Sequence, residues 1–248
     1  QNRIDAKWNV AGASPADTVK PLHYVPQLYA YAWASPENAR IFFESLSVTP
    51  SKINIYITGR AVWSVPNNED LSTVKDYLGR EASWWWNYPC NDNDVTKLFT
   101  MDMYTNFRDE THIDNLARLE DGLTTNTLII NPMQQGEVSK IALFSLGDYA
   151  WNNAAFDCQR SWEASIPAVA GKKYAAALRY LAPYLRYYDS DALSYAVNQY
   201  KKSFERGNPK PESLIARMEK VLESCKELDA MASSSNQSDR LLHDDMKP

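Results

Sequence analysis

The sequence predicts an α/β fold in which four parallel strands alternate with helices, followed by a segment of helical bundle. The first observation is a set of four short runs of β-branched or aromatic residues that do not alternate with charge, as in strands covered on both faces. The second is their spacing, because starts at residues 21, 53, 82 and 127 leave room for a strand, a loop and a helix in each unit. The third is a change after residue 170 to Ala-, Leu- and Tyr-rich segments with helical periodicity. A closed barrel of such units typically takes about eight strands, so the four predicted here correspond to half a barrel.

The predicted elements divide the chain into a barrel half over residues 1–170, a helical bundle segment over 171–232 and a polar tail over 233–248. Ser35 followed by Pro36 and Glu37 is typical of a helix start, because a hydroxyl caps free N–H groups and an acid lies near the positive helix end. Residues from Ser233 onward are polar and low in complexity, so we expect a frayed end. The predicted strands cover 21–26, 53–58, 82–86 and 127–131, and further helices are predicted over 70–80, 110–119, 172–188, 191–204 and 211–231.

Composition and charge exclude several classes of function. The chain has 26 Lys and Arg against 31 Asp and Glu, a net charge of −5, so no nucleic-acid partner is expected. No apolar run approaches the ~18 residues that a membrane span requires. The three cysteines and three histidines are scattered, so we expect no metal site, and no cofactor is predicted. The first residues lack the basic and apolar regions of a signal peptide, although the chain could still be a mature or trimmed product. Separately, a secreted or cell-surface location is favoured over a cytoplasmic one.

Polar side chains follow each predicted strand. Parallel α/β sheets place their functional groups just beyond the carboxyl ends of the strands. Those positions hold Tyr29, Thr58, Asn87 with Asp92 in the following loop, and Asn131. Hydroxyls, amides and a carboxylate beside three tryptophans fit a polyhydroxylated ligand, because amides and carboxylates bond sugar hydroxyls while an indole covers the apolar ring face. The alternative is that these residues are ordinary caps and turn formers.

The tryptophans are assigned by strand geometry and position. Trp84, Trp85 and Trp86 cannot all face one way, since side chains alternate along a strand, and Trp85 is the one we predict to face a pocket. Four other tryptophans are interpreted as packing residues, namely Trp33, Trp63, Trp151 and Trp162.

Beyond these patterns, an ordered series of short motifs resembles glycoside hydrolase family 84, the β-N-acetylglucosaminidases that include O-GlcNAcases and the clostridial enzymes once called hyaluronidases. The resemblance covers roughly residues 20 to 166, and WWNYP and the pairing of NPM with DYAWN are its most specific parts. The series is VPQLY (25–29), ITG (57–59), WWNYP (85–89), NPM (131–133) with SKI (139–141), and DYAWN (148–152) with RSW (160–162).

The resemblance implies that this chain corresponds to the last four strands of a TIM-like barrel and to the start of the helical bundle that follows it. Tyr29 then matches a tyrosine that contacts the acetamido group of the substrate and assists the reaction. Thr58 lies beside that pocket, Trp85 forms the aromatic wall around the N-acetyl group, and Asn87 bonds near the acetamido group and the reacting centre.

The same resemblance assigns the remaining strand-end residues to the outer part of the sugar. Asp92 matches the carboxylate that grips the outer hydroxyls, and Asn131 matches another hydroxyl contact. The stretch 148–152 is expected to shape and support the pocket.

The family mechanism is retention by substrate assistance, in which the acetamido oxygen of the substrate attacks the anomeric carbon and forms an oxazoline. In this family, two consecutive aspartates at the end of the fourth barrel strand catalyse the reaction. One orients the amide, and the other acts as general acid and then as general base. The only Asp-Asp pair here, Asp244 and Asp245, lies in the predicted polar tail and is interpreted as solvated charge. We therefore predict no catalytic carboxylate within this chain.

Taken together, the sequence predicts a glycoside hydrolase that removes terminal β-linked N-acetylglucosamine. The expected partners are a glycan or glycoprotein bearing N-acetylglucosamine and a second chain or segment that supplies the N-terminal half-barrel with its aspartate pair. The alternative is a non-catalytic N-acetylglucosamine-binding pseudoenzyme or adhesion module.

Overall fold

The computed structural model describes residues 21–100, 105–107, 113–115, 122–125, 127–185 and 192–247. The chain divides into two compact units. The first consists of Gln1–Asn87 and Leu119–Asn131, and the second of Tyr88–Arg118 and Pro132–Pro248. Over the described residues, no helix combines the length and apolar character needed to cross a membrane.

The strands in the described part of the chain form a four-stranded sheet and a separate two-stranded one. They are β1 (Leu22–Tyr24), β2 (Ile53–Ile57), β3 (Ser83–Pro89), β4 (Thr105–Phe107), β5 (Ile113–Asn115) and β6 (Leu128–Asn131). The larger sheet has the order β1-β2-β3-β6. β1 pairs in parallel with β2, and β2 in parallel with β3, where Ile57 lies opposite Trp84. This parallel arrangement confirms the predicted half-barrel, although β3 extends three residues beyond the predicted strand end.

Two α-helices accompany the sheet among the described residues of the first unit. Helix α1 (Pro36–Ser47) begins as predicted, because the Ser35 side chain accepts a hydrogen bond from the Asn38 N–H. Helix α2 (Asn68–Leu78) begins two residues earlier than predicted, with the Asn67 side chain as its cap, and ends at Gly79 in the left-handed conformation. The buried side chains of the two helices and of the sheet form the core, and they include Phe43, Leu71, Val74, Ile55, Ile57, Trp84 and Trp86.

The second unit is mainly helical. Its helices are α3 (Gly136–Trp151), α4 (Cys158–Leu185), α5 (Ala192–Glu205), α6 (Pro211–Asp229) and α7 (Gln237–Asp245). Helix α4 contacts α3, α5 and α6, and α3 also contacts α7. Gly171, with φ of 68° and ψ of 163°, interrupts α4, so this element consists of two helical segments. Buried hydrogen bonds tie α4 to the segment that follows β3, because Trp162 Nε1 donates to Thr100 O and Thr100 Oγ1 donates to Ala182 O.

Two sequence predictions differ from the structure of this unit. The helix predicted over 110–119 is wrong over its described residues, because β5 pairs antiparallel with β4 and takes its backbone partners from that strand. The rest of that predicted helix lies outside the described residues. The expectation of a frayed end is also wrong, because residues after 233 form α7, in which Leu242 is fully buried.

Candidate functional site

Strand β3 presents two residues of the predicted site on one face. Side chains alternate along the strand, and Trp84 and Trp86 are fully buried while Trp85 and Asn87 are partly exposed. Trp85 is therefore the member of the tryptophan triplet that shares a face with Asn87, which is the arrangement that alternation predicted.

Asn87 connects three segments of the first unit through hydrogen bonds. Its Oδ1 accepts from Trp85 Nε1 at 2.9 Å and from Asn131 Nδ2 at 3.1 Å, while its Nδ2 donates to Val62 O at 2.9 Å. The ends of β3 and β6 and the loop after β2 are thus fixed to one amide group. Within the described residues, the side-chain oxygen of Asn131 has no hydrogen-bond partner, so an acceptor is available beside this cluster.

Tyr29 and Thr58 connect the loops that follow β1 and β2. The Thr58 N–H donates to Tyr29 O at 2.9 Å, and the Thr58 hydroxyl donates to Ala61 O at 2.8 Å. Thr58 is buried, and the hydrogen bond from its side chain to Ala61 O restrains the loop that follows β2. The Tyr29 ring packs edge-on against Trp33, with ring centroids 5.0 Å apart.

Three tryptophans that we predicted to pack in the core are exposed instead. Trp33 has 58% of its surface exposed, Trp63 has 44% and Trp151 has 91%, whereas Trp162 is buried as predicted. The prediction failed for the first three because sequence alone does not show whether another element covers a residue. Trp33 and Trp63 lie in the first unit, and Trp33 extends the aromatic surface of Tyr29.

A buried carboxylate that the sequence analysis missed supports these loops. Asp70 is 2% exposed and accepts hydrogen bonds from Tyr31 Oη at 2.6 Å, from the Arg60 N–H at 3.2 Å and from Asn67 Nδ2 at 3.2 Å. Burial, followed by the hydrogen bond to Asp70, raises the pKa of Tyr31 above its usual value, so this phenol stays protonated. The Asn67 side chain accepts from the Asp70 N–H, and this helix-capping pattern is the sequence signal that could have identified the position.

The second unit contains the remaining carboxylates considered from the sequence. Asp92 is exposed in the loop after β3, beside Cys90, whose thiol pKa is raised by burial. Asp148 is exposed near the end of α3. Within the described residues, no group of three or more His, Cys, Asp or Glu side chains is placed to hold a metal ion.

The two members of the Asp-Asp pair near the C-terminus make different contacts. Asp245 Oδ2 accepts from the backbone N–H groups of Glu137 at 2.6 Å and Val138 at 3.2 Å, so it caps the start of α3. Asp244 forms a salt bridge of 2.9 Å with Lys247, which lowers the pKa of the Asp244 carboxyl. The interpretation as solvated charge is therefore wrong for Asp245, since its carboxylate accepts hydrogen bonds from N–H groups at the start of α3 that have no partner within the helix.

A family model described as beta-N-acetylglucosaminidase matches residues 2–183. Among solved structures, CpGH84D aligns with 23% identity and a TM-score of 0.65, over 94% of this chain and 38% of that chain. CpGH84B aligns with 21% identity and a TM-score of 0.69, over 98% of this chain and 42% of that chain. A mutant of the Thermobaculum terrenum O-GlcNAc hydrolase aligns with 19% identity and a TM-score of 0.65, over 92% of this chain and 48% of that chain.

These structural likenesses, at identities below 25%, show a shared fold. They also show that the chain spans less than half the length of each of these structures.

Proposed function

This chain belongs to the β-N-acetylglucosaminidase family, of the glycoside hydrolase family 84 type, and we propose on that basis that it carries part of a pocket for terminal β-linked N-acetylglucosamine. The observation that carries the proposal is the cluster of Trp85 and Asn87 on β3 with Asn131 at the end of the adjacent strand β6. An indole face, a fixed amide and an available carbonyl acceptor are the groups that a sugar with an N-acetyl substituent requires. The proposed reaction is hydrolysis of its glycosidic bond with retention of configuration.

The proposed roles follow from position in the fold and from the resemblance. Trp85 forms the wall around the N-acetyl methyl group, Asn87 holds that wall and bonds near the reacting centre, and Asn131 contacts a sugar hydroxyl. Tyr29 contacts the acetamido group and assists catalysis, and Thr58 supports Tyr29 through its backbone.

Asp92 enters the proposal on the resemblance alone, as the carboxylate that grips the outer hydroxyls. Its exposure in the loop after β3 is compatible with that role.

The proposed chemistry has two steps. The acetamido oxygen of the substrate attacks the anomeric carbon as the glycosidic bond breaks, and a general acid protonates the leaving oxygen. Water then opens the oxazoline, the same residue takes a proton from that water, and the sugar leaves with its original configuration. A phenol at Tyr29 near the acetamido group stabilises the attacking conformer by holding the amide in place.

We propose that the aspartate pair for these steps is supplied by polypeptide outside these 248 residues. Asp244 and Asp245 do not fit the role, because the first pairs with Lys247 and the second caps α3. The shorter span of this chain relative to the solved structures supports the same proposal.

The edges of the sheet support a complementary half-barrel as a partner segment or chain. β1 and β6 are the outer strands of the four-stranded sheet, and an edge strand offers backbone N–H and C=O groups for further pairing. Completing a barrel requires additional parallel strands at both edges. We propose that the N-terminal half-barrel supplies them and brings the aspartate pair with it.

The test of the pocket is binding of N-acetylglucosamine measured by calorimetry for the wild type and for Asn131→Ala. We expect the variant to weaken binding by about tenfold, since it removes a hydrogen-bond acceptor and releases Asn87. Asn38→Ala, which removes an exposed amide on α1, is the matched control and should leave affinity unchanged. Equal affinities for wild type and Asn131→Ala would refute the pocket assignment.

Two further variants in the assembled enzyme distinguish a hydrolase from the alternative, a non-catalytic binding module. Tyr29→Phe is expected to lower kcat more than binding, and Asp92→Ala is expected mainly to weaken binding. Binding that depends on the cluster, with no turnover in any assembled form, would instead favour a pseudoenzyme.

A further inference from the structure

The second unit contains a basic cavity that the proposed sugar chemistry does not use. It lies between α5 and the start of α6 and has a volume of about 510 Å³. Four cationic side chains line it, and its lining includes no Asp or Glu. They are Lys202, Arg206, Lys210 and Arg217.

The lining of this cavity is basic although the chain as a whole has a net charge of −5. Lys202 and Arg206 are four residues apart, at the end of α5 and just beyond it, so they lie on the same face one turn apart, where like charges repel. Within the described residues, no carboxylate forms an ion pair with Lys202, Arg206 or Lys210. An anion in the cavity would relieve this repulsion.

The start of α6 adds further positive potential to the same cavity. The helix begins at Pro211, and its N-cap, Lys210, provides no side-chain acceptor for the free backbone N–H groups of the first turn. Ser213 and Leu214 of that turn line the cavity. A helix of 19 residues carries partial positive charge at this end, which favours a bound anion.

The connection between the two helices is held in place by its own hydrogen bonds. Ser203 accepts from the Asn208 N–H through its backbone oxygen at 3.0 Å and from the Lys210 N–H through its hydroxyl at 3.2 Å. Gly207, with φ of 69°, supplies the left-handed turn between them. Arg206 and Lys210 therefore lie on a connection whose backbone has a defined conformation, which reduces the backbone ordering cost of binding.

We propose that this cavity binds a small ligand carrying a tetrahedral oxyanion, a phosphate or sulfate group. The guanidinium group of Arg206 offers the paired donors that such oxygens accept, and the ammonium groups of Lys202 and Lys210 add charge. The volume lies in the range of small-molecule pockets and exceeds what a lone ion fills, while Tyr200, Ala196 and Leu214 offer apolar surface for the rest of the molecule. The proposal does not depend on the N-acetylglucosamine pocket.

Calorimetry with four probes tests the proposal and identifies the source of the anion. The probes are inorganic phosphate, glucose 6-phosphate, glucose 6-sulfate and uncharged glucose, none of which carries an acetamido group. We expect the charged probes to bind and glucose not to bind, with affinity falling as sodium chloride is raised. Tighter binding of the sugar esters than of phosphate assigns the cavity to an anion carried on a sugar, and equal binding assigns it to the free anion.

The variant K202Q/R206Q removes two cavity charges and should weaken binding of the charged probes by at least about tenfold. K172Q/K201Q is the matched control, because it removes the same charge from exposed positions outside the cavity lining and should change affinity less than about twofold. Thermal unfolding of both variants establishes that they are folded. Failure of every charged probe to bind, or equal weakening in both variants, would overturn the proposal.

Discussion

At the scale of single residues, Gly59 shows how tightly the loop after β2 is built. Its φ is +92°, and a Cβ at this position would lie 2.7 Å from Trp84 Cη2 and 2.8 Å from Asp70 Oδ2. The position therefore requires glycine for two reasons, conformation and space. This loop also contains Val62, the acceptor for Asn87, so the same constraint positions the proposed sugar site.

Gly59→Ala is expected to lower the free energy of unfolding by about 3 kcal/mol, since left-handed strain and overpacking add. Gly79→Ala is the matched control, because Gly79 has a φ of +72° but no atom within 4 Å of the added Cβ, and its cost should be about 1 kcal/mol. Urea unfolding measures both. Equal losses would show that crowding at Gly59 does not matter.

Tyr31 gives a prediction about pH. Its pKa is raised in the folded protein, by burial first and then by the hydrogen bond to Asp70, whereas an unfolded tyrosine titrates near its ordinary value of ~10. A raised folded pKa contributes stability that is complete below pH ~10 and is lost as the pH rises above it, because only the unfolded state releases the proton.

The free energy of unfolding of the wild type should therefore fall more steeply between pH ~9 and ~11 than that of Tyr31→Phe. Denaturant unfolding at several pH values measures both slopes, and the other tyrosines are common to the two proteins. Parallel slopes would contradict the assignment of a raised pKa to Tyr31.

The sequence predicted the orientation of residues within a strand better than the burial of residues that depends on tertiary contacts. Alternation along β3 predicted that Trp85 faces the opposite way from Trp84 and Trp86, as the structure shows, whereas its role in a sugar pocket stays a prediction. The burial of Asp70 and the exposure of Trp33 could not be predicted, since both depend on which elements cover them.

At the scale of elements, α7 shows that composition alone does not predict whether a polar segment is folded. Its polar sequence predicted a frayed end, yet Leu242 is fully buried and Asp245 caps α3. A single apolar residue and a single capping residue do not stand out in a polar segment of sequence. In the folded chain, a buried leucine and a capped helix N-terminus both contribute stability.

Asp245→Ala should lower the free energy of unfolding by about 1 kcal/mol, because it exposes two helix N–H groups without a partner. Asp244→Ala is the neighbouring control, and no measurable change is expected, since its exposed salt bridge with Lys247 is screened by water. Thermal and urea unfolding compare the two. A larger effect for Asp244→Ala would refute the capping role.

At the scale of the whole molecule, the sequence predicted the parallel four-stranded sheet because each interval between the four apolar runs has room for a loop and a helix. The antiparallel pair of β4 and β5 was missed, since pairing between segments that short is decided by tertiary contacts. The division of the chain into a barrel half, a bundle segment and an end segment stays a prediction.

The central proposal, which the family relationship and the fold support, is that this chain supplies sugar-binding residues but not the catalytic aspartates. The proposal is consistent with the capping role of Asp245 and with β1 and β6 being the outer strands of the sheet within the described residues. It also predicts that activity belongs to an assembly that includes additional polypeptide.

Hydrolysis of an aryl β-N-acetylglucosaminide tests this claim most directly. The purified 248-residue chain alone is expected to give no turnover above the uncatalysed rate. Turnover should appear when a polypeptide carrying the N-terminal half-barrel and its aspartate pair is added, and Tyr29→Phe should reduce it. Turnover that persists in the rigorously purified chain would contradict the account, because a general acid would then lie within these residues.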